Sequence, residues 1–439
     1  MSAAAQASTH ARKRRLFSLE TAVRPQTLLL LGAALSFIAW AVPWGSAIPA
    51  TMRFTHAEPW TLHGMLFLFG WYAFFFLVAF GGFQVGRRIP VLRRAECVPW
   101  QSFYVYFSVL SLVGTAYSYA YIATKSPHAI SAAFLHHHFN AIRLALPYAA
   151  GVPTLRYAAS LAGAIAIFEL GRRRLRPLHV LNVLLLVLAA AIASRVSLII
   201  AVIVVAGLAA RHLQTVHVPG RRIAGVLLLG FVGLFVALAL LNYSRNADYY
   251  RGYGVRDPLV MGVDEMVRYL GVPFQASVAV SNHVSDWPEV PSTVAAGTRT
   301  YLLPTYATSG IPPSVAAASN RYHLLTPIPT ILSTNSVLAG MYGVFGVLVF
   351  PILGGVAFVA AAIAGHASRY RSYVFLIALI IAYCFAEWWR IYMFNQGIVQ
   401  FLIIAVAFWA VVGPSADAWT GGRWSRLTRF LVPADRRRE

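Results

Sequence analysis

Arginine is the residue type in this 439-residue chain whose placement suggests chemistry. Of the 36 basic residues only Lys13 and Lys125 are lysines. A guanidinium is always charged, and its planar fork of donors pairs bidentately with phosphate oxygens, which an ammonium cannot do. Convergent arginines would also stabilise the charge that develops on a departing diphosphate. The arginines that we predict to face one side of a membrane are Arg143, Arg195, Arg245, Arg251, Arg256, Arg299, Arg321 and Arg390.

We divide these arginines by their sequence context. Arg299, Arg321 and Arg251 are the first candidates for gripping a leaving group, and Arg143, Arg195 and Arg390 are second choices. Arg245 and Arg256 complete the predicted substrate-binding set. A general preference for arginine codons would also raise the arginine content. The composition alone therefore does not show that any single arginine contacts a ligand.

A reaction at a sugar hydroxyl would need a proton acceptor within hydrogen-bond reach. His323, Glu265 and Asp264 are the candidates within the same long segment. For His323 the alternative is an interfacial hydrogen-bonding residue. For Glu387, ion pairing with Arg390 is the favoured interpretation over catalysis.

Metal and nucleotide sites are not indicated. His136, His137 and His138 are adjacent, so on a helix they would point in three directions. The chain has no HExxH, no GxxxxGK[ST] and no GxSxG motif. We therefore expect neither a metal nor another cofactor.

The composition predicts an all-α polytopic membrane protein. The chain is 59% hydrophobic and 11% charged, with a mean hydropathy of +0.64, whereas soluble domains are about 25% charged. About ten segments are long and apolar enough to be read as transmembrane helices. They are 26–48, 61–84, 101–124, 153–171, 178–194, 196–210, 223–241, 342–364, 373–389 and 397–413.

Charge between these spans sets the predicted topology. The formal net charge is +22, and most basic residues fall in linkers on the side of the N-terminus, which the positive-inside rule makes cytoplasmic. We accordingly predict an N-terminal bundle (1–241), one large extracytoplasmic loop (242–335), C-terminal spans (336–413) and a basic cytoplasmic tail (414–439). Within the loop a helix is expected near 258–281, and Arg195 should cap a hairpin. The basic clusters follow the spans, so the expected partner is the lipid bilayer and not nucleic acid.

The segment Ser333–Gly354 carries a resemblance to a known family. Its Thr334–Asn335 pair, followed by Tyr342, Gly343 and Gly346, is similar to a segment of the Wzy-type oligosaccharide repeat-unit polymerases. Two Arg-x10-Gly stretches, Arg251 with Gly262 and Arg299 with Gly310, resemble the outer loops of that family.

The resemblance implies a metal-independent glycosyltransferase with a GT-C-like bundle in the bacterial inner membrane. Its substrate would be an oligosaccharide on undecaprenyl diphosphate, Asn335 and Tyr342 would contribute to substrate binding, and a chain-length regulator could be a partner. O-antigen ligases share this layout and are one alternative. A transporter or flippase of lipid-linked glycan is the alternative from another class, and it should show polar or broken positions within several spans.

Overall fold

The computed structural model describes residues 19–41, 59–92, 100–136, 140–146, 151–172, 175–193, 195–215, 233, 236, 251–252, 254, 256–287, 290–308, 310–326 and 336–419. Within these residues the protein is all-helical, with 85% helix and no strands. The predicted fold class is confirmed to this extent.

The first half of the chain forms nine helices among the described residues. They are α1 (Leu19–Ala22), α2 (Pro25–Ala41), α3 (Leu62–Arg88), α4 (Trp100–Lys125), α5 (Pro127–His136), α6 (Asn140–Ala145), α7 (Ala159–Gly171, preceded by a 3-10 helix Val152–Ala158), α8 (Pro177–Ala193) and α9 (Arg195–Thr215).

The second half of the chain contains shorter helices and more breaks. They are α10 (Pro258–Asn282), α11 (Pro291–Leu302), α12 (Pro313–Asn320), α13 (Val337–Phe345), α14 (Val349–Ala367), α15 (Leu376–Ala386) and α16 (Gly397–Trp419). Intervening 3-10 helices span Val284–Asp286, Thr305–Ala307, Arg321–Leu324, Gly346–Leu348 and Tyr373–Phe375.

Five helical stretches are long and apolar enough to cross a bilayer. They are Leu62–Arg88, Trp100–Lys125, Val196–Leu213, Val337–Ala367 and Gly397–Ser415, and the helices Pro25–Ala41, Pro177–Ile192 and Tyr373–Ala386 are apolar but shorter. The membrane character predicted from composition is thus supported. The count of about ten spans stays a prediction, and the span predicted at 223–241 lies outside the described residues apart from positions 233 and 236.

Small residues bring α3 and α14 into close contact. A Cβ added at Gly82 or Gly86 would overlap the carbonyl oxygen of Phe358 or Ala362, and one added at Gly365 would overlap the carbonyl oxygen of Phe83. Gly82 and Gly86 are four positions apart, which is the small-xxx-small spacing that lets membrane helices approach closely. The two helices consequently pack backbone to backbone along their length.

The helices α8 and α9 are separate, in agreement with the predicted hairpin. One ends at Ala193 and the other begins at Arg195, and both pack against α7 and against each other. Arg195 is thus the first described residue of α9.

The helix α10 packs against α2 and α3, and the assignment of 242–335 to one extracytoplasmic loop stays a prediction. Trp40 on α2 donates to Gln275 at 2.7 Å, and Ser36 donates to the carbonyl of Leu270 at 2.6 Å. At the end of α10, Asn282 accepts from the Thr61 hydroxyl, which caps α3, at 2.7 Å. The helix therefore runs between α2 and α3, and its 25 residues extend over ~36 Å at the α-helical rise.

Candidate functional site

Arg321 lies at the end of the bundle that contains Asn282 and the first residue of α3, which we call the Arg321 end. The 3-10 helix Arg321–Leu324 continues directly from α12 and turns the guanidinium onto the segment that follows α10. Its Cζ lies 5.0 Å from the centre of the Trp287 ring, and its Nη2 donates to the Asp286 carbonyl at 3.3 Å. Trp287 is buried, so an exposed cation is held on a fixed aromatic platform.

A cavity of about 450 Å³ opens beside Arg321. Most of its wall is apolar, and Arg321, Asn320 and Thr293 supply polar groups. The lining residues are Val290, Thr293, Ala317, Ala318, Asn320, Arg321, Leu324, Gly343 and Val344. An apolar wall with one cation suits an amphiphile whose head carries negative charge.

Gly343 is required at the base of this cavity. A Cβ there would overlap the Ala318 carbonyl oxygen and lie 3.0 Å from the Trp287 ring. Any larger residue would push α12 away from α13 and would displace the platform under Arg321. The glycine that carried the family resemblance thus has a packing role beside the cavity.

A histidine–aspartate pair follows α10 within one turn of Trp287. Nδ1 of His283 and Oδ2 of Asp286 are 3.1 Å apart, and the Ser285 hydroxyl donates to Oδ1 at 3.1 Å. These hydrogen bonds, that from His283 first, hold the pKa of the Asp286 carboxyl below its ordinary value, and the charge of Arg321 acts in the same direction. The sequence analysis missed this pair, although the spacing His-x-x-Asp before a tryptophan was visible.

His323, a predicted proton acceptor, packs against its neighbour. Its ring stacks on Tyr322 with 4.4 Å between centroids, and partial burial lowers the pKa of its imidazole. Tyr322 is fully buried, and burial raises the pKa of its phenol. His323 is therefore neutral at neutral pH and near Arg321 in sequence, but its ring is engaged in packing.

The structure does not place Arg299 on the cavity wall. Gly297 on α11 faces α13, where a Cβ would overlap the Val344 side chain, and Arg299 follows two positions later. At ~100° per residue Arg299 points away from α13, and it is exposed. Tyr342, by contrast, is buried beside the 3-10 turn Val284–Asp286. Its hydroxyl lies 3.4 Å from the Val284 carbonyl oxygen.

Arg251, Arg256 and Glu265 lie toward the other end of α10. Arg251 and Arg256 precede the helix and are exposed, and α10 itself is ~36 Å long. Glu265 is buried and stands ~26 Å along the axis from Asn282. The position of Glu265 along α10 does not favour its grouping with Arg321, and the grouping of Arg251 with Arg321 stays a prediction.

Among the described residues, Asp264–Arg268 is a buried ion pair and Glu387–Arg390 is a largely buried one. Arg268 and Asp264 on α10 are 2.9 Å apart, each 3% exposed. Arg390 contacts Glu387 at 2.9 Å just after α15, and its guanidinium lies 4.2 Å from the centre of the Tyr269 ring. The expected partnership of Glu387 with Arg390 is confirmed, and the Arg390 side chain is 11% exposed.

The remaining predicted site residues lie wholly or partly outside the described part of the chain. Arg245 and Asn335 are not described, and of Arg143 and Arg195 only the backbone is described. Among the described residues no group of three His, Cys, Asp or Glu could hold a metal ion.

No protein-family model matches this chain, and neither a curated protein nor a solved structure matches it. The functional assignment therefore depends on the geometry of the Arg321 end and on the resemblance of the segment beside it.

Proposed function

We propose that the protein is a membrane glycosyltransferase that polymerises oligosaccharide repeat units linked to undecaprenyl diphosphate on the outer face of the bacterial inner membrane. The observation that carries the proposal is Arg321, held on Trp287 beside an apolar cavity at one end of a bundle of membrane helices. In this proposal the Arg321 end faces outward.

The cavity matches the two halves of such a donor. Its apolar wall, including Leu324 and Val290, would receive the isoprenoid chain next to the diphosphate. Arg321 would pair with phosphate oxygens and stabilise the negative charge that grows as the diphosphate leaves. Asn320 and Thr293 would hydrogen-bond the sugar or phosphate oxygens. Because a guanidinium supplies the positive charge, we expect no metal requirement.

An O-antigen ligase would use the same donor and the same leaving group. The difference lies in the acceptor, since a ligase moves the finished glycan to another molecule. The cavity residues bind the donor in both reactions, so the products distinguish the two activities.

A transporter of lipid-linked glycan is the second candidate, and the interior of the bundle favours it. The pair Asp264–Arg268 is buried on α10, and Glu387–Arg390 lies largely buried just after α15; ionisable residues at membrane depth often mark transport pathways. The helices are also broken, at Gly346 with φ 54° and again between Ala386 and Gly397. Polar positions and broken helices are the two features that the sequence analysis expected of a transporter.

The test is reconstitution of the purified protein in liposomes with lipid-linked repeat units. Growth of a ladder of glycan lengths on a gel, lost in Arg321→Ala, supports the polymerase. A single transfer to an added acceptor would indicate the ligase. Movement of lipid-linked glycan between leaflets without any longer product would establish the transporter and refute the polymerase.

A further inference from the structure

We propose that His283, oriented by Asp286, accepts the proton of the attacking sugar hydroxyl. The inference depends on the proposed function, because it assigns a residue to the reaction proposed for the Arg321 end. It is carried by an imidazole and a carboxylate at the 3-10 turn Val284–Asp286, and by the Arg321 guanidinium, which comes from the 3-10 helix Arg321–Leu324 and donates to the Asp286 carbonyl.

The hydrogen bond between His283 and Asp286 fixes the tautomer of the imidazole. An ionised carboxylate can only accept, so the 3.1 Å contact requires that Nδ1 of His283 donates. The lone pair of the neutral ring is then on Nε2, which is the atom that would take a proton. The low pKa of Asp286 keeps the carboxylate ionised at neutral pH, and so preserves this arrangement.

The surroundings of His283 suit proton transfer to a bound substrate. Its side chain is 35% exposed, so a sugar hydroxyl can approach, whereas Asp286 is more open to solvent at 65%. Among the described residues, Arg321 is a charged group that faces the pair, and it donates to the Asp286 carbonyl. From α13, Tyr342 places its hydroxyl against the Val284 carbonyl. Base and cation therefore lie on either side of Asp286.

The chemistry balances with these two groups. The acceptor oxygen forms a bond to the anomeric carbon while the bond from that carbon to the diphosphate oxygen breaks. The bonding pair leaves with the diphosphate, whose charge Arg321 neutralises, and the hydroxyl proton passes to Nε2 of His283. Asp286 stabilises the imidazolium that results, as a carboxylate does in other histidine-based sites.

The other candidate bases are less well placed. His323 stacks on Tyr322, and burial lowers the pKa of its imidazole, which weakens it as a base. Glu265 is buried ~26 Å along α10 from Asn282, the residue before His283. His283 alone among these combines proximity to Arg321 with a carboxylate partner.

The first experiment measures polymer formation against pH for the wild type, His283→Gln and Asp286→Asn. His63→Gln is the matched control, because His63 is an exposed histidine in the first turn of α3, at the Arg321 end of the bundle. Loss of a general base should slow His283→Gln by about 100- to 10,000-fold and leave His63→Gln unchanged. Asp286→Asn should remain partly active. The acidic limb of its pH–rate profile should move to lower pH, because without the carboxylate the imidazolium is less stable and the pKa of His283 falls.

The second experiment needs no substrate. Diethyl pyrocarbonate modifies neutral imidazoles, and mass spectrometry can follow its reaction at His283 as the pH changes. In the wild type the midpoint at His283 should be higher than in Asp286→Asn. Equal midpoints would overturn the pairing, whether or not the variants are active.

The outcomes separate the two proposals. Wild-type polymer formation with an equally active, folded His283→Gln overturns the base role alone. Failure of the wild type to form polymer, with transport or ligation instead, overturns the proposed function, and the proton-acceptor role for polymerisation fails with it.

Discussion

Replacing Arg321 by lysine separates a bidentate phosphate contact from simple charge attraction. Lysine keeps the positive charge but loses the planar fork and most of the stacking on Trp287. A charge-assisted contact to a departing oxyanion contributes up to about 4 kcal/mol in a water-excluded site, and Arg321 is exposed before the donor binds. We therefore use about 2 kcal/mol, which corresponds to a rate loss of about 30-fold for Arg321→Ala. Arg321→Lys should lose nearly as much.

The same substitutions should leave the fold intact, so that activity and stability can be told apart. The interaction of Arg321 with Trp287 at 5.0 Å is worth about 0.5–1 kcal/mol at an exposed position. Thermal unfolding in detergent should therefore change little. The assay is the initial rate of ladder formation from lipid-linked repeat units, normalised to folded protein.

Arg88→Ala is the matched control for this measurement. Arg88 is also exposed, but it ends α3 at the opposite end from the Arg321 end. Its replacement should leave the rate unchanged. Full activity of Arg321→Lys in well-folded protein would refute the bidentate role, and a loss in Arg88→Ala as large as that in Arg321→Ala would show that general surface charge causes the effect.

Three further predictions concern topology, packing and metals. With Cys97 replaced by Ser, an impermeant thiol reagent should label both Ser292→Cys and Gly252→Cys in intact cells if 242–335 is one outer loop; labelling of Gly252→Cys only after permeabilisation would mean that α10 crosses the membrane. Gly86→Ala should destabilise the protein by about 1–3 kcal/mol in thermal or chemical unfolding, since its Cβ would overlap the Ala362 carbonyl, whereas Gly70→Ala, with nothing within 4 Å, should not. Polymer formation should persist in EDTA if a guanidinium supplies the charge; a loss that a divalent ion restores would contradict this.

The sequence predicted most helices closely. The span predicted at 61–84 is Leu62–Arg88, that at 101–124 is Trp100–Lys125, and that at 178–194 is Pro177–Ala193. The helix expected near 258–281 is Pro258–Asn282. These elements are predictable because long apolar runs satisfy their own backbone hydrogen bonds only as helices in a membrane.

The position of α10 was not predictable from its composition. Asp264, Glu265 and Arg268 make it too polar to be read as a span, which favoured an exposed loop. In the structure Asp264 and Arg268 lie four positions apart and pair on one face, so the helix buries both charges together. A hydropathy average sums the values of single residues, so it contains no contribution from an ion pair between two of them.

The sequence by itself determined that this is a helical membrane protein rich in arginine, because hydropathy and residue chemistry are local properties. Only the tertiary structure decided which arginine lies beside the cavity. Arg321 meets Trp287 and Asp286 because the 3-10 helix Arg321–Leu324 packs against α10, whereas Arg251 precedes the first residue of that helix. Such convergence depends on contacts between distant residues, such as Trp40 and Gln275, 235 positions apart, and no local pattern in the chain encodes them.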